Sequence, residues 1–320
     1  MIGKAPRELL DTHVFDRTGA IDERIIQGPA FGEDTGAIQL DAGILVVSTD
    51  PLSLAVDRLG TIAVAVACND VAASGATPAW LTASIFLSED DPAQLDQLTN
   101  QLHDAALAMD VAIVSGHTEY ATQLDRPMLV LTAFGLTDRY IPTGGSQPGE
   151  VVVMTKTAAT EGTAILASDF GTALEVDPAR IEQAQAYYDD LSVATEAGVL
   201  APYATAMHDP TEGGILMGLY ELASAGEISL AIDRDAIPIS EVTIELCAAA
   251  GVDPLRIFSS GVLLATVSVE DVESAIDDLE QAGIDASVIG QVTAAASPSV
   301  ILDDVIIDTP VRDEMYPLWG

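Results

Sequence analysis

Four aspartates, Asp34, Asp50, Asp70 and Asp209, each stand at or near a junction between an apolar stretch and a turn containing Gly or Pro. Four carboxylates converging without a cation would repel one another, and some would have to hold protons. Mg²⁺ resolves that conflict: it takes hard oxygen ligands, binds one or two carboxylates directly and shares itself with substrate phosphates. In a chain with 50 acidic residues among 320, a lone Asp is ordinarily a solvated surface charge. Asp70 is set apart by its surroundings. With Asn69 it interrupts the stretch from Asp57 to Pro78, DRLGTIAVAVACNDVAASGATP, which is otherwise apolar or small on every side. A helix without a polar face is buried all round, and a bare carboxylate inside it costs several kcal/mol unless something compensates it. Asp57 is the expected N-cap of that helix, Gly75 the expected C′ residue, and Pro78 forbids continuation.

Asp209-Pro210-Thr211-Glu212-Gly213-Gly214 supports two readings. It is a good helix start, with Asp at the N-cap, Pro at N1 and Glu at N3. It also places two glycines in a first turn, where each costs about 1 kcal/mol relative to Ala. Such glycines let an anion approach free backbone N–H groups, so Thr211, Gly213 and Gly214 are candidates for holding a phosphate-bearing cofactor. Lys156 follows a predicted buried strand and precedes Glu161-Gly162-Thr163; with Lys4 it is one of only two lysines, and phosphate contact is its expected role. His117, between Gly116 and Thr118, is either a hydrogen-bonded loop histidine or a substrate contact. Cys68 and Cys247 form neither a disulfide framework nor a zinc spacing. No P-loop, dinucleotide fingerprint or Ser/His/Asp arrangement occurs.

The elements that must position these groups follow from periodicity. Residues 32–51 predict a β-hairpin with Asp34 entering the first strand and Asp50 leaving the second. A strand over 80–87, an amphipathic helix over 91–109, a short buried strand over 111–114 and a strand over 128–136 complete a β-β-α-β-α-β-β order, an α+β domain. Residues 138–150, DRYIPTGGSQPGE, read as a linker. The division falls at residues 1–145 and 146–320, the second part being an α/β domain with an acidic helix or helix pair over 177–200.

The net charge of −38 at 49% hydrophobic residues describes a folded, salt-adapted, halophilic protein rather than a disordered acidic chain. Nucleic acid and anionic membrane, which both select positive charge, are excluded as partners. No apolar run approaches the roughly 18 residues of a spanning helix and no signal peptide opens the chain, so a cytoplasmic location is expected.

Gly32-Glu33-Asp34, Ser48-Thr49-Asp50, Asn69-Asp70 with Ser74-Gly75-Ala76-Thr77-Pro78, Gly116-His117-Thr118 and Asp209 to Gly214 occur in an order that resembles the aminoimidazole ribonucleotide synthase-related superfamily. Its members include that purine enzyme, thiamine-monophosphate kinase, selenophosphate synthetase and the hydrogenase-maturation HypE proteins. The run Thr155-Lys156 to Ala164 and the overall length look most like the archaeal HypE-like members. The resemblance implies an N-terminal domain that dimerises into a shared β-barrel with flanking helices, a C-terminal α/β sandwich domain, and a homodimer. It also implies an ATP site in which Asp34, Asp50 and Asp70 hold Mg²⁺ with help from Asp209, while Asn69, Lys156, His117 and Thr118 lie nearer nucleotide or substrate. The implied reaction is ATP-dependent phosphorylation of a small-molecule or protein-bound group. Alternatives are a thiamine-monophosphate-type kinase or a non-catalytic ATP-binding partner protein. HypE proteins proper use a C-terminal cysteine; here the last cysteine is Cys247 and the chain ends MYPLWG, so thiol chemistry at the tail is not expected.

Overall fold

The computed structural model describes residues 3–294 and 297–319. The first half of the chain supplies α1 (Arg7–His13), β1 (Ile25–Gln27), β2 (Thr35–Leu40), β3 (Gly43–Leu52), α2 (Leu59–Ala73), β4 (Thr77–Leu87), α3 (Pro92–Ala108), β5 (Ala112–Tyr120) and β6 (Met128–Thr137). Its sheet has the order β1-β2-β3-β6-β4-β5, and only β4 and β5 pair in parallel. The second half supplies β7 (Val151–Thr155), α4 (Thr160–Asp169), α5 (Pro178–Gln185), α6 (Ala194–Leu200), β8 (Ala204–His208), α7 (Gly214–Ala225), β9 (Ser229–Ile232) and α8 (Glu241–Ala250). It continues with β10 (Leu264–Val267), α9 (Val272–Gln281), β11 (Ala286–Thr293), β12 (Ser299–Leu302) and β13 (Val305–Ile307). That sheet runs β13-β12-β9-β11-β7-β10-β8, with β9 and β12 its parallel pair. The expected mixture of helices and two sheets is what forms; within one chain the first sheet is open at β1 and β5.

The apolar helix is the partition between the halves. Every residue of α2 except Thr61 is buried. Val64, Ala67, Cys68 and Val71 share a core with Val46, Leu81 and Leu131 of the first sheet. Ile62, Ala65 and Val66 belong instead to a core with Ile165, Leu166, Tyr188 and Leu191 of the second half. Two partners on opposite sides explain why no face is polar, each buried Val or Ile contributing roughly 1.5–3 kcal/mol. Its end is as predicted: Gly75 at φ +78° lets its N–H reach the Ala72 carbonyl at 2.8 Å, and the Ala76 N–H reaches that of Val71 at 3.2 Å. Its start is not. A 3₁₀ turn over Val56–Arg58 precedes the helix and Asp57 does not cap it. Gln101 of α3 takes the part, accepting from the Gly60 N–H at 2.9 Å and donating to the Asp57 carbonyl at 2.7 Å.

That crossing requires Gly60. A Cβ there would lie 2.7 Å from Gln101 Cβ and 2.8 Å from the Leu98 carbonyl oxygen. Gly60→Ala should therefore destabilise by about 1–3 kcal/mol through overpacking, although helix propensity alone would favour Ala by about 1 kcal/mol. The sign of the shift in denaturant midpoint at fixed KCl decides between them.

Two expectations about elements change. The short buried strand over 111–114 is the nine-residue β5, exposed along its whole length because it is the sheet's edge and pairs on one side only. The linker over 138–150 is packed: Glu33 accepts from the Thr143 and Gly144 N–H groups at 3.1 and 3.0 Å, and Arg139 donates to the Ala201 and Ala204 carbonyls. Of the two forms expected over 177–200, the helix pair is what occurs, α5 and α6 joined through a 3₁₀ turn. Among the described residues, no helix is long and apolar enough to cross a membrane.

Candidate active site

Two elements and two loop positions deliver the four aspartates. Thr35 of β2 pairs with Ser48 of β3, so the hairpin brings Asp34, one residue earlier, to the end of the sheet that carries Asp50. Asp70 projects from α2, and Asp209 is the first residue after β8. Ser48 joins two of them: its Oγ lies 2.5 Å from Asp70 Oδ2 and 3.0 Å from Asp50 Oδ2. A hydroxyl has one proton to donate, so a carboxyl proton is the natural donor of the other bond. The electrostatics agree. Burial, then the charges of Asp50, Asp209 and Asp34, push Asp70 well above the usual carboxylate range. Burial likewise raises Asp50, against the hydrogen bond from Asp70. Asp209 is pushed up to about 8 by burial, with His208 opposing and Asp34 and Asp50 adding.

The donors are hard oxygens, and Asp209 Oδ2 is buried with no hydrogen-bond partner. Among the described residues, no three carboxylate or imidazole side chains are already drawn into a common metal-holding arrangement. The charge surplus and the orphaned oxygen nevertheless suit a hard divalent cation, which would supply what the protons now supply.

Beside the cluster lies a closed ring of ion pairs. His208 Nδ1 is 3.4 Å from Asp34 Oδ2 and its Nε2 is 2.9 Å from Glu221 Oε2. Lys4 Nζ is 3.0 Å from Glu221 Oε1 and 3.8 Å from Asp34 Oδ1. Burial alone would lower the His208 imidazole, but the hydrogen bond and charge of Glu221, with Asp34 and Asp209, raise it to about 9. Burial would raise Glu221, yet Lys4 and His208 bring it down to about 2. The ring thus sets two basic against two acidic side chains and contacts both carboxylate oxygens of Asp34.

The other predicted residues sit differently. Asn69 is fully buried and spends its amide on the second half of the chain, donating to the Leu191 carbonyl at 2.8 Å and accepting from the Val193 N–H at 2.9 Å. Lys156, at φ +54°, pairs with Glu196 at 2.6 Å and donates to the Asp190 and Ser192 carbonyls at 3.0 and 2.8 Å. Two of its ammonium donors are taken by backbone carbonyls, and the Glu196 carboxylate supplies the counter-charge. Both residues clasp residues 190–196 in place. His117 and Thr118 lie on exposed β5, with His117 paired to Glu119 at 3.1 Å. Asp50 aligns with Leu131, Leu131 with Ala83, and Ala83 with Gly116. Three strand spacings, roughly 14 Å, therefore separate Asp50 from the strand of His117 and Thr118.

Asp209 is not a helix N-cap, since α7 begins only at Gly214. Gly213 and Gly214 are left-handed, at φ +76° and +66°, and a Cβ on either would come within 2.6 Å of a backbone oxygen, of Val311 or of Ile257. The chain's own backbone therefore demands both glycines. The Gly213 N–H is held by Asp313 Oδ2 at 2.8 Å, and the Thr211 carbonyl accepts from Gly214 and Ser259.

Sequence reasoning passed over Ser48, Lys4, His208 and Glu221. The rarity of lysine that drew attention to Lys156 applies equally to Lys4, and His208 directly precedes Asp209. Glu221 lies inside α7 without any local mark.

Residues 32–137 match the AIR synthase related protein N-terminal domain and residues 147–303 its C-terminal domain. A protein of Methanocaldococcus jannaschii named for hydrogenase expression and formation, MJ0676, is 28% identical over 299 residues, covering 88% of this chain and 86% of its own. Carbamoyl dehydratase HypE of Rhodobacter capsulatus is 29% identical over 302 residues, 91% and 87% of the two chains. A chain of a HypE–HypF complex superposes with a TM-score of 0.77 at 21% identity, over 94% of this chain and 99% of that one. HypE in complex with ATP does so at 0.74 and 23%, over 98% and 96%. At such identities the superpositions speak for the fold alone, and the profile matches carry the kinship: the chain belongs to the AIR synthase-related family.

Proposed function

We propose that this protein is an ATP- and Mg²⁺-dependent enzyme of HypE type, which activates a small-molecule or protein-bound group by phosphorylating it. The observation that carries the reading is the convergence of Asp34, Asp50, Asp70 and Asp209, from both halves of the chain, into a site with more negative charge than burial tolerates. The HypE relatives, one solved with ATP and one with a protein partner, support the nucleotide and the possibility of a protein-borne substrate. Mg²⁺, when bound, would neutralise and align the phosphates.

In this reading the four aspartates hold the ion, Ser48 orients Asp50 and Asp70, and His208 fixes Asp34. Asn69 and Lys156 act by holding residues 190–196 across the cleft, and Thr211, Gly213 and Gly214 shape the loop that presents Asp209. His117 and Thr118 reach a nucleotide from the exposed edge β5 if two copies pair there, as a shared barrel of two 1–145 domains, with 146–320 outside it, would require. Cys68 and Cys247 are buried and their thiols are pushed up to about 12, so neither serves as an acceptor. The acidic surface suits the salt-rich cytoplasm of a halophilic archaeon.

The test is ATP turnover in molar KCl, with ADP resolved from AMP. Mg²⁺-dependent release of ADP and phosphate is expected. Release of AMP and pyrophosphate, or ATP binding without turnover across acceptors and carbamoylated partners, would overturn the phosphorylating-enzyme reading.

A further inference from the structure

Lys156 spends its ammonium on the Asp190 and Ser192 carbonyls and on Glu196. Lys4, the chain's other lysine, lies 3.8 Å from Asp34 and lines a cavity of about 600 Å³, the size of a small-molecule site. One ammonium therefore borders both the carboxylate cluster and the open volume. Among the described residues it makes a single hydrogen bond, to Glu221 Oε1 at 3.0 Å, because 3.8 Å to Asp34 is beyond hydrogen-bonding reach. An ammonium has three donors, so Lys4 keeps capacity for an incoming acceptor. The N-terminal arm holds it there. No residue of α1 is buried, so contacts with the body of the protein, rather than a core, fix the arm. Arg7 donates to Ser224 Oγ at 2.7 Å and lies 4.8 Å above the Phe31 ring. Glu221 and Ser224 stand three residues apart on α7, so Lys4 and Arg7 grip one face of that helix. Glu221 is held in turn by His208 through its other oxygen.

A phosphoryl group entering a chain of net charge −38 needs positive charge to meet it. Three of the chain's twelve Lys and Arg residues, Lys4, Arg7 and Arg312, line this one cavity. The carboxylates that share the lining are largely spent within the chain. Glu33 accepts from the Thr143 and Gly144 N–H groups, and Asp313 from those of Gly213 and Met315. Asp34 and Glu221 face Lys4 and His208. Glu8 and Glu212 remain, against Arg7 and Arg312.

We propose that Lys4 is a catalytic residue, its ammonium contacting the oxygens of the phosphoryl group as that group passes from ATP to the acceptor. The role rests on the ATP reading above and adds a residue to it. In the transfer a bond forms from an acceptor oxygen to the terminal phosphorus while the bond to the bridging oxygen breaks. ADP leaves with that electron pair, and the acceptor's proton goes to solvent. Lys4 stays protonated throughout and stabilises the charge spread over the equatorial oxygens.

The test is equilibrium binding to the full-length protein with Mg²⁺ in molar KCl. The ligands are ADP alone and ADP with aluminium fluoride, a stand-in for the phosphoryl group in flight. Lys4→Gln should weaken binding of ADP with aluminium fluoride about tenfold or more, as expected for a lost charge-assisted hydrogen bond, and that of ADP alone by less than about threefold. Lys4→Arg keeps a cation for Glu221 but not the shape of the ammonium, and should show the same selective loss if the first variant does not fold. Equal loss for both ligands would make Lys4 a support of the arm and overturn the proposal. So would a wild type whose ADP affinity aluminium fluoride does not raise. Wild type that binds neither ligand, nor ATP, removes the ATP reading and this role with it. Wild type that binds both while the Lys4 variants bind them equally well removes this inference alone.

Discussion

Asp70→Asn should lower Mg²⁺-ATP turnover by about 10²–10³-fold, the scale seen when one preorganised electrostatic group is lost, and should raise the melting temperature of the metal-free protein. The two effects have one cause. Asp70 is 5% exposed and faces the charges of Asp50, Asp209 and Asp34, so without a cation its ionised form opposes folding. An amide keeps the shape and the contact with Ser48 while removing a mismatch worth about 1–3 kcal/mol. The pH dependence has a definite sign. Asp209 is raised from 3.8 to about 8, so its contribution to stability is complete below pH 3.8 and is lost as pH rises through about 8. Metal-free wild type should therefore lose stability across that window, and the stabilisation given by Mg²⁺ should grow across it. Thermal melts at several pH values, with and without Mg²⁺ in molar KCl, check both statements. A lower melting temperature for Asp70→Asn without metal, or Mg²⁺ stabilisation equal to that of the wild type, would remove Asp70 from the cluster's charge balance.

His208→Ala should have the largest effect on stability, about 3–5 kcal/mol, because it strips a buried cation from Glu221 and Asp34. At this chain length that is on the order of 10 °C in melting temperature. The linkage has the same sign as that of Asp209, over a higher window. The imidazole is raised from 6.5 to about 9, so its stabilisation is complete below pH 6.5 and is lost as pH rises through about 9. Glu221 is lowered from 4.5 to about 2, so its share is present above pH 4.5 and is lost as pH falls through about 2. The difference between wild type and variant should be greatest between those limits, from about pH 4.5 to 6.5, and should shrink above pH 9. A difference that stays constant from pH 6 to pH 10 would mean that His208 contributes volume and not charge. Turnover should fall as well, since Asp34 loses the group that orients it.

Much of this architecture is legible in the chain because it is written in short-range patterns. The all-apolar run around Asn69-Asp70 announces a helix buried on every side, and α2 is that helix. The Asp41-Ala42-Gly43 turn between the apolar stretches of 32–51 announces the hairpin with Asp34 and Asp50 at its open end, and its two strands pair as expected. Gly75 closes α2 because a left-handed residue is needed there and only local geometry is involved. The kinship to the AIR synthase-related family was legible for the same reason: its motifs are short and colinear.

Other features have their causes far away in sequence. Asp57 is a competent cap, yet Gln101, 41 residues beyond Gly60, reaches the free N–H first. Gly213 and Gly214 look like room for a phosphate, but the carbonyls of Val311 and Ile257 occupy that room. Lys156 and Asn69 carry the right groups for a nucleotide, and the fold turns both toward the segment around Leu191 and Ser192. Glu221 bears no mark in α7 until Lys4, 217 residues away, and His208 close around it. The amino-acid sequence by itself determined the elements, the acidic surface and the identity of the four aspartates. Only the tertiary structure decided which polar groups share a site, because the partner of a buried charge is whichever group the packed chain brings within a few ångströms, whatever its place in the sequence.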